Sequence, residues 1–303
     1  MLTTEARSDV SRDGPRTAWR MIVDWGLPGA LNMAVDEVLL DSVIAGGPPT
    51  IRFYTWEPAA LSLGANQALG EVDRAACERR GFDVVRRTTG GRAVLHQHEL
   101  TYSVAVREND PLVSGGVVES YRKISAALVT GLRLLGAEVA LAPPDRAMHR
   151  ALALSMRAQP GASEDKPSGS HGAICFDAAS DYELTARGRK LVGSAQARRG
   201  GALLQHGSIL LDIDWDAWAA VFAYRSEAGR QRAAQKLPLR MTSLSEELGR
   251  PVTAHEVSQT VRRGFAETFE IDLGPGRLTS SEIEAAQRIA TEKYGSDAWT
   301  TRK

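Results

Sequence analysis

The amino-acid sequence predicts an α+β fold in which mixed and antiparallel sheets are flanked by helices. Strand-forming runs cluster between residues 51 and 106 and again between residues 182 and 208. In the second cluster, tight turns at Gly188-Arg189 and Gly200-Gly201 predict a three-stranded antiparallel meander. Apolar residues recur at helical spacing before, between and after the two clusters. With 303 residues, the chain is long enough to bury a full hydrophobic core.

The first half of the chain is predicted to hold most of the strands. Residues 1–16 are polar and lack periodicity, which predicts a disordered tail. The helix that starts at Ala30 has apolar residues at helical spacing and is ended by a Gly-Gly-Pro-Pro run. The elements predicted up to residue 142 are strand 19–23, helix 30–43, the paired strands 51–56 and 60–63, a short helix 72–80, strands 83–87, 93–96 and 100–106, a helix 117–135 and a strand near Val139.

The second half is predicted to begin with a long connection. Residues 143–172 are rich in Pro, Ser, Gly, Ala and charged residues, which predicts a mobile loop. After the meander, the motif Asp212-Ile213-Asp214-Trp215 is predicted to cap a helix that ends at Phe222, and residues 231–241 to be irregular. Helices are predicted over 253–269 and 279–293, because each segment opens with a threonine followed three residues later by a glutamate, the capping-box pattern.

Composition excludes several classes of function. Lysine plus arginine and aspartate plus glutamate each number 37, so no global field favours nucleic acid or an anionic membrane. No apolar run approaches the roughly 20 residues of a membrane span, and the N-terminus lacks a signal-peptide core, so a cytoplasmic protein is expected. The two cysteines, Cys77 and Cys175, indicate neither a disulfide framework nor a metal-binding cluster. We expect no metal site.

The segment from Arg86 to Arg92 carries two glycines between two predicted strands. Backbone N–H groups of Gly90 and Gly91 could approach an anionic or carbonyl oxygen closely, and the flanking arginines add fixed charge. A plain hairpin turn with solvated arginines explains the same residues. His96, at a strand end, could supply a polar group to a pocket or be an ordinary surface or hydrogen-bonded histidine.

Cys175 is a candidate nucleophile, because it follows a polar loop and precedes a meander that contains Lys190 and His206. A meander brings distant residues together, so these three side chains could share one pocket. An ammonium that lowers the thiol pKa from about 8.5 to about 6 would make most of the thiol a thiolate at neutral pH. The alternatives are a buried thiol that acts as a small hydrophobic residue and a solvated lysine at a turn. Cys77, in a helix, is interpreted as structural.

The two long strands of the meander also carry candidate ligand-binding residues. Gly193, Ser194 and Ala195 form a small-residue stretch that could lie against a ligand. Gln205, His206 and Gly207 could line the same site or merely end the meander.

Three segments together resemble the biotin/lipoate A/B protein ligase family. They are RRTTGGRAVLHQHELTYSV at 86–104, GRKLVGSAQARRGGALLQHGSILL at 188–211 and KYGSDAW at 293–299. Cys175-Phe176, the Gly-Gly-Arg of 90–92 and the segment 241–244 are most similar to the LipM-type octanoyltransferases of this family. The resemblance spans about Asn32 to Trp299. One departure is Gln97, which stands after His96 where family members often have aspartate.

The resemblance implies a catalytic domain over 17–249, similar to biotin and lipoate ligases, and a short helical C-terminal extension over 250–303. It implies transfer of an octanoyl group from octanoyl-acyl carrier protein to a lysine of a 2-oxoacid dehydrogenase lipoyl domain or of the glycine-cleavage H protein. No cofactor is expected. Cys175 would form the acyl thioester and Lys190 would lower its pKa. The residues expected to bind substrate are Arg87, Gly90, Gly91, Arg92, His96, Gly193, Ser194, Ala195, Gln205, His206 and Gly207.

Three other functions stay open from the sequence. An ATP-dependent lipoate ligase would use Lys190 to contact an acyl-adenylate and would not need Cys175. An octanoyl amidotransferase between lipoyl-domain proteins would use the same cysteine. A non-catalytic module that binds a carrier protein or a small acid is also compatible, because fold does not fix function.

Overall fold

The computed structural model describes residues 17–142 and 183–302. Three features predicted from the sequence lie outside the described residues: the N-terminal tail 1–16, the loop 143–172 and Cys175. Among the helices that are described, none is long and apolar enough to cross a membrane.

Strands and helices are interspersed along the described chain. The strands are β1 (Ala18–Leu27), β2 (Thr50–Trp56), β3 (Ala60–Leu63), β4 (Asp83–Arg86), β5 (Val94–His96), β6 (Glu99–Arg107), β7 (Val139–Leu141), β8 (Leu184–Ala186), β9 (Arg189–Arg199), β10 (Ala202–Leu210) and β11 (Asp272–Pro275). The α-helices are α1 (Gly29–Ile44), α2 (Arg74–Arg79), α3 (Val117–Leu134), α4 (Trp215–Ala220), α5 (Glu227–Lys236), α6 (Leu244–Leu248), α7 (Ala254–Phe269), α8 (Ser280–Ile289) and α9 (Asp297–Thr301). Single turns of 3-10 helix lie at Leu69–Glu71 and Leu237–Leu239, and a π-helical turn lies at Ala290–Tyr294.

The larger sheet formed by the described residues has eight strands in the order β11-β1-β2-β6-β10-β9-β8-β7. β1 runs parallel to both β2 and β11, and the other neighbours are antiparallel. β8, β9 and β10 are consecutive neighbours, which confirms the predicted meander. Together with the flanking helices, this mixed sheet confirms the predicted α+β class.

A smaller sheet contains β4, β3 and β5, in that order. It corrects the prediction that 51–56 and 60–63 pair with each other. β2 is an interior strand whose two edges are occupied by β1 and β6, so it has no edge left for β3. β3 pairs with β4 and β5 instead.

Helices α3 and α7 cover one face of the large sheet. Their apolar side chains, among them Ile124, Leu128 and Phe265, are fully buried in one hydrophobic core with β2 and β6. The two helices cross at Gly131 and Gly264, where a Cβ added to Gly264 would lie 2.3 Å from the Gly131 backbone nitrogen. This close approach therefore requires glycine at the crossing.

Helix α1 lies on the other face, between the large sheet and α8. The apolar residues that predicted α1, such as Val35, Val38 and Leu39, are buried. Two polar residues of the same helix, Asn32 and Asp36, are equally buried. A helix that buries polar side chains on its sheet side needs partners for them, and these partners belong to the site below.

The C-terminal segment is packed into the main body. β11 adds a parallel strand to β1, and Arg20 of β1 makes two hydrogen bonds of 2.8 Å to Glu282 of α8. Glu282 also completes the predicted capping box with Thr279. At α7, Thr253 accepts from the Glu256 N–H, but the Glu256 carboxylate pairs with Arg250. The domain boundary at 249/250 stays a prediction.

Helix α5 corrects the prediction that residues 231–241 are irregular. It is capped by Ser226, whose hydroxyl accepts from the Gly229 N–H. The segment EAGRQRAAQK is rich in helix-forming residues but has no apolar stripe, so its helical period is invisible in a hydrophobicity pattern.

Candidate active site

A cleft that is partly open to solvent lies between the two sheets. Aromatic and apolar side chains form part of its wall, and two histidines and several hydroxyl groups form the rest. The lining residues are Met33, Tyr54, Trp56, Ser62, Arg87, Val94, His96, Thr101, Gly193, Ser194, Ala195, His206, Gly207 and Ser208.

The strand registers explain why these residues meet. Across the large sheet, His206 of β10 lies opposite Ala195 of β9, and Ser208 lies opposite Thr101 of β6. His206 and Ser208 are two residues apart and so point to the same face of the sheet. From the small sheet, Val94 and His96 of β5 approach the cleft in the same alternating way.

A buried carboxylate, Asp36 of α1, organises one side of the cleft. It accepts hydrogen bonds from Arg52 Nη1 (3.1 Å), Tyr54 OH (2.8 Å), Ser103 Oγ (2.8 Å) and His206 Nδ1 (3.0 Å). Burial alone would raise the pKa of Asp36, but the hydrogen bond from His206 and the charge of Arg52 bring that pKa below its ordinary value. Asp36 is therefore ionised and acts only as an acceptor.

His206 links this carboxylate to the glycine-containing turn. Its Nδ1 lies 3.0 Å from Asp36 Oδ2, and its Nε2 lies 2.7 Å from Thr89 Oγ1. Thr89 immediately precedes Gly90 and is fully buried. Asp36, His206 and Thr89 thus form a continuous hydrogen-bonded chain from α1 to the turn between β4 and β5.

Arg87 stabilises the same turn by hydrogen bonds to its backbone and to Thr89. Its guanidinium donates to the carbonyl oxygens of Gly90 (2.8 Å), Arg92 (2.7 Å) and Ser62 (2.9 Å), and to Thr89 Oγ1 (3.1 Å). Because Arg87 is only 4% exposed, the alternative of a turn with solvated arginines is wrong for this residue. The arginine shapes the turn and does not project into solvent.

Close backbone packing also fixes the turn. Gly91 has φ of +93°, a conformation that favours glycine. A Cβ added to Gly64 would lie 1.9 Å from the Gly91 carbonyl oxygen, so the loop after β3 touches the turn directly. Gly90 and Gly91 are themselves exposed, and their N–H groups donate to no acceptor within residues 17–142 and 183–302.

His96 lies in a second polar cluster. Its ring stacks on Trp56 with centroids 3.9 Å apart, and Nε2 lies 2.8 Å from Ser62 Oγ. Nδ1 is buried without a hydrogen-bond partner among the described atoms, and the nearest Glu99 carboxylate oxygen is 3.8 Å away. Burial lowers the pKa of His96, although Glu99 opposes this, so His96 is neutral near pH 7.

Lys190 stands apart from the cleft wall. It pairs with Glu183, and the two residues are 1% and 3% exposed, so the alternative of a solvated lysine is wrong. Lys190 is five residues along β9 from Ala195, which faces His206, and this separation is roughly 16 Å along the strand. The structure therefore does not bring Lys190 and His206 together.

Cys77 is buried in α2, as its interpretation as structural requires. Burial and the nearby Asp73 carboxylate raise the pKa of the Cys77 thiol to about 11. Since the thiolate is the reactive form, Cys77 is a poor nucleophile.

The structure divides the predicted site residues into two groups. Seven line the cleft: Arg87, His96, Gly193, Ser194, Ala195, His206 and Gly207. Lys190, Gly90, Gly91, Arg92 and Gln205 do not belong to its wall. Arg92 pairs with Glu71, and Gln205 donates to Tyr102 OH at 2.9 Å on the opposite face of the sheet. Their roles in binding or catalysis stay predictions.

Several residues of the site were missed by sequence reasoning: Met33, Asp36, Tyr54, Trp56, Ser62, Thr101 and Ser208. A signal existed for Asp36, because Asn32 and Asp36 are polar residues four positions apart and so lie on the same side of the helix. Isolated serines and threonines in strands carry no comparable signal.

The motif at 293–299 makes hydrogen bonds to two elements close to the candidate site. Lys293 donates to both Glu37 carboxylate oxygens, at 2.8 and 2.6 Å, and Glu37 is next to Asp36 in α1. Trp299 Nε1 donates to the Arg86 carbonyl at 2.8 Å. The motif thus links the C-terminal segment to α1 and to β4.

Residues 28–266 match the sequence profile of the lipoyl protein ligase A/B catalytic domain. The chain belongs to this family. The match confirms the resemblance drawn from the three motifs, since it spans the turn at 86–92 and the whole meander.

Two relatives of similar length carry the same name. Octanoyltransferase LipM of Symbiobacterium thermophilum is 44% identical to this chain over 289 residues, which are 95% of this chain and 99% of that relative. Octanoyltransferase LipM of Kyrpidia tusciae is 44% identical over 287 residues, with coverage of 94% and 99%.

A solved structure shares the fold over nearly its whole length. It is a bipartite lipoate protein ligase from Thermoplasma acidophilum, with a TM-score of 0.74 and 25% sequence identity. The match covers 95% of this chain and 98% of that one. The shared fold confirms the predicted architecture.

Proposed function

We propose that this protein is an octanoyltransferase of protein lipoylation. It moves an octanoyl group from octanoyl-acyl carrier protein to a lysine of a lipoyl domain or of the glycine-cleavage H protein, without ATP. The observation that carries this proposal is the 44% identity, over 95% of the chain, to a relative named octanoyltransferase.

The cleft supports the proposal on chemical grounds. Met33, Tyr54, Trp56 and Val94 provide apolar wall for an acyl chain, since burying each methylene is worth about 0.8 kcal/mol. Gly90 and Gly91 lie outside that wall, and their N–H groups, which donate to no acceptor among the described residues, are the donors that we assign to the developing oxyanion. An acyl chain with a carbonyl at one end needs both features.

The proposed reaction has two steps, with Cys175 as the nucleophile. The Cys175 thiolate attacks the carrier thioester carbonyl, the carbon–sulfur bond to the carrier breaks, and the carrier thiolate leaves. The acceptor lysine amine then attacks the acyl-Cys175 carbonyl, loses a proton and forms the amide as the Cys175 thiolate is released. The positive charge of Lys190 would stabilise the thiolate in both steps.

The test is transfer between purified proteins with no nucleotide. Octanoyl-acyl carrier protein, this protein and a lipoyl domain are mixed without ATP or magnesium, and the lipoyl domain is followed by intact mass. We expect one added octanoyl group with the wild-type protein and with Cys77→Ala, and none with Cys175→Ala.

Other outcomes identify the alternatives. Strict dependence on ATP would assign the protein to ligases such as the T. acidophilum relative, whose fold it shares. Transfer only from an octanoylated protein lysine would indicate an amidotransferase. Carrier binding without any transfer would indicate a binding module.

A further inference from the structure

We propose that His206 is a positioning residue which, through the Thr89 hydroxyl, holds the Gly90-Gly91 turn in its oxyanion-binding orientation. This inference rests on the proposed function, because it assigns the turn to the reacting carbonyl. The observation behind it is that the turn belongs to the small sheet, whereas His206 belongs to the large one.

Several contacts hold the turn between β4 and β5, and two of them meet at the Thr89 hydroxyl, which contacts both Arg87 Nε and His206 Nε2. Arg87 fixes it from the small sheet through the carbonyl oxygens of Gly90 and Arg92. The Thr89 hydroxyl fixes it to the large sheet through His206 Nε2 at 2.7 Å. Among the described residues, the hydrogen bond to His206 ties the turn to β10, which forms part of the cleft wall with β9.

The hydrogen-bond pattern assigns the proton between Asp36 and His206. Asp36 is ionised, so His206 Nδ1 carries a proton and donates to it. The other ring nitrogen, Nε2, shares a hydrogen bond with the Thr89 hydroxyl, which also accepts from Arg87 Nε. Asp36 thus fixes the orientation of the imidazole ring that holds Thr89.

Asp36 is itself held from three elements. Arg52 and Tyr54 of β2, Ser103 of β6 and His206 of β10 all donate to it, and Arg52 also pairs with Asp24. The chain from Asp36 to Thr89 therefore starts at a carboxylate of α1 that three strands of the large sheet hold in place, and two hydrogen bonds connect it to the turn.

The turn benefits from such an anchor because glycine has more backbone freedom than other residues. Gly90 and Gly91 are exposed, and Gly91 adopts a conformation that few other residues reach. Donors that stabilise an oxyanion are effective only if they are fixed before the reaction. Loss of the Thr89 hydroxyl should therefore misplace the donors without removing them.

Thr89 is the position for a test, because its hydroxyl contacts His206 and Arg87 and does not line the cleft. Thr89→Val removes the hydroxyl at nearly constant volume, Thr89→Ala removes it without any risk of a clash, and Thr89→Ser retains it. We expect Thr89→Val and Thr89→Ala to lower kcat about 10- to 100-fold with an unchanged KM for octanoyl-acyl carrier protein. Thr89→Ser should restore most of the rate.

A second measurement does not depend on which reaction the protein catalyses. Hydrogen–deuterium exchange of the peptide that covers residues 86–96 should be faster in Thr89→Ala than in the wild type, and near wild-type rates in Thr89→Ser. Exchange in the α3 and α7 peptides should be unchanged, which controls for global destabilisation.

The two experiments distinguish a failure of the proposed function from a failure of the role proposed for His206. If the wild type fails to transfer octanoyl groups, the proposed function is wrong, and the exchange experiment alone decides whether His206 anchors the turn. Unchanged exchange at 86–96 in Thr89→Ala would overturn the inference. A kcat within about two-fold of wild type, in a protein that does transfer octanoyl groups, would also overturn it.

Discussion

Lys190 and Glu183 form an ion pair in which both side chains are almost completely buried. Lys190 is the residue proposed to stabilise the Cys175 thiolate, so its charge is already balanced by a carboxylate in the described structure. A buried ammonium without a counter-charge is very costly, and Glu183 therefore allows Lys190 to remain charged inside the protein.

Because the two charges are paired, replacing one residue of the ion pair should change the free energy of unfolding much more than replacing both. Lys190→Met leaves the Glu183 carboxylate buried without its cation, so we expect a loss of about 3–5 kcal/mol in the free energy of unfolding. Lys190→Met combined with Glu183→Gln should recover most of that loss. Urea denaturation followed by circular dichroism measures both.

The same comparison separates stability from catalysis. The double variant is folded but lacks the cation, so it should still be slow in forming the acyl-enzyme. If Lys190→Met alone is as stable as the wild type, the buried pair does not exist in solution.

Cysteine reactivity should differ sharply between the two thiols. The pKa of Cys77 is about 11, so only about one thiol in a thousand is ionised at pH 8. We expect iodoacetamide to label Cys77 in denaturant but not in the native protein at pH 8. Mass spectrometry of the peptide that contains Cys77 measures this, and rapid native labelling would contradict the buried position.

His96 should make stability depend on pH. Because burial lowers its pKa in the folded state, the unfolded chain binds a proton first as the pH falls below about 6.5. The contribution of His96 to stability is therefore complete above that pH and decreases below it. His96→Gln removes the titrating group, so its melting temperature should fall less than that of the wild type between pH 7 and pH 5. Equal decreases in the melting temperatures of the two proteins would contradict a buried, neutral His96.

Local patterns predicted the parts of the fold that depend on neighbours in sequence. The meander followed from glycine turns at 188 and 200–201 between strand-forming runs, and α1 and α3 followed from their apolar spacing. The pairing of β3 with β4 and β5 could not be predicted from such patterns, since it depends on which strand edges remain open after β2 is placed. Helix α5 was missed because it lacks an apolar stripe.

The candidate site was predictable to a similar degree. His206 was identified by its place in the meander, but its partners were not, because Asp36 and Thr89 are 170 and 117 residues away in sequence. A carboxylate on a helix usually faces solvent, so the four-residue spacing of Asn32 and Asp36 is a weak signal by itself. Ser103 and His206, which donate to Asp36, come from distant strands, and no local pattern in the sequence reveals such partners.

The most direct test of the central claim is the mass of the enzyme itself. The wild-type protein and Cys175→Ala are each mixed with octanoyl-acyl carrier protein, without ATP and without an acceptor, and intact mass is recorded before and after hydroxylamine treatment. We predict that the wild type gains one octanoyl group, that hydroxylamine removes it as expected for a thioester, and that Cys175→Ala gains none. An unmodified wild-type protein that nevertheless transfers octanoyl groups to a lipoyl domain would contradict the thioester mechanism.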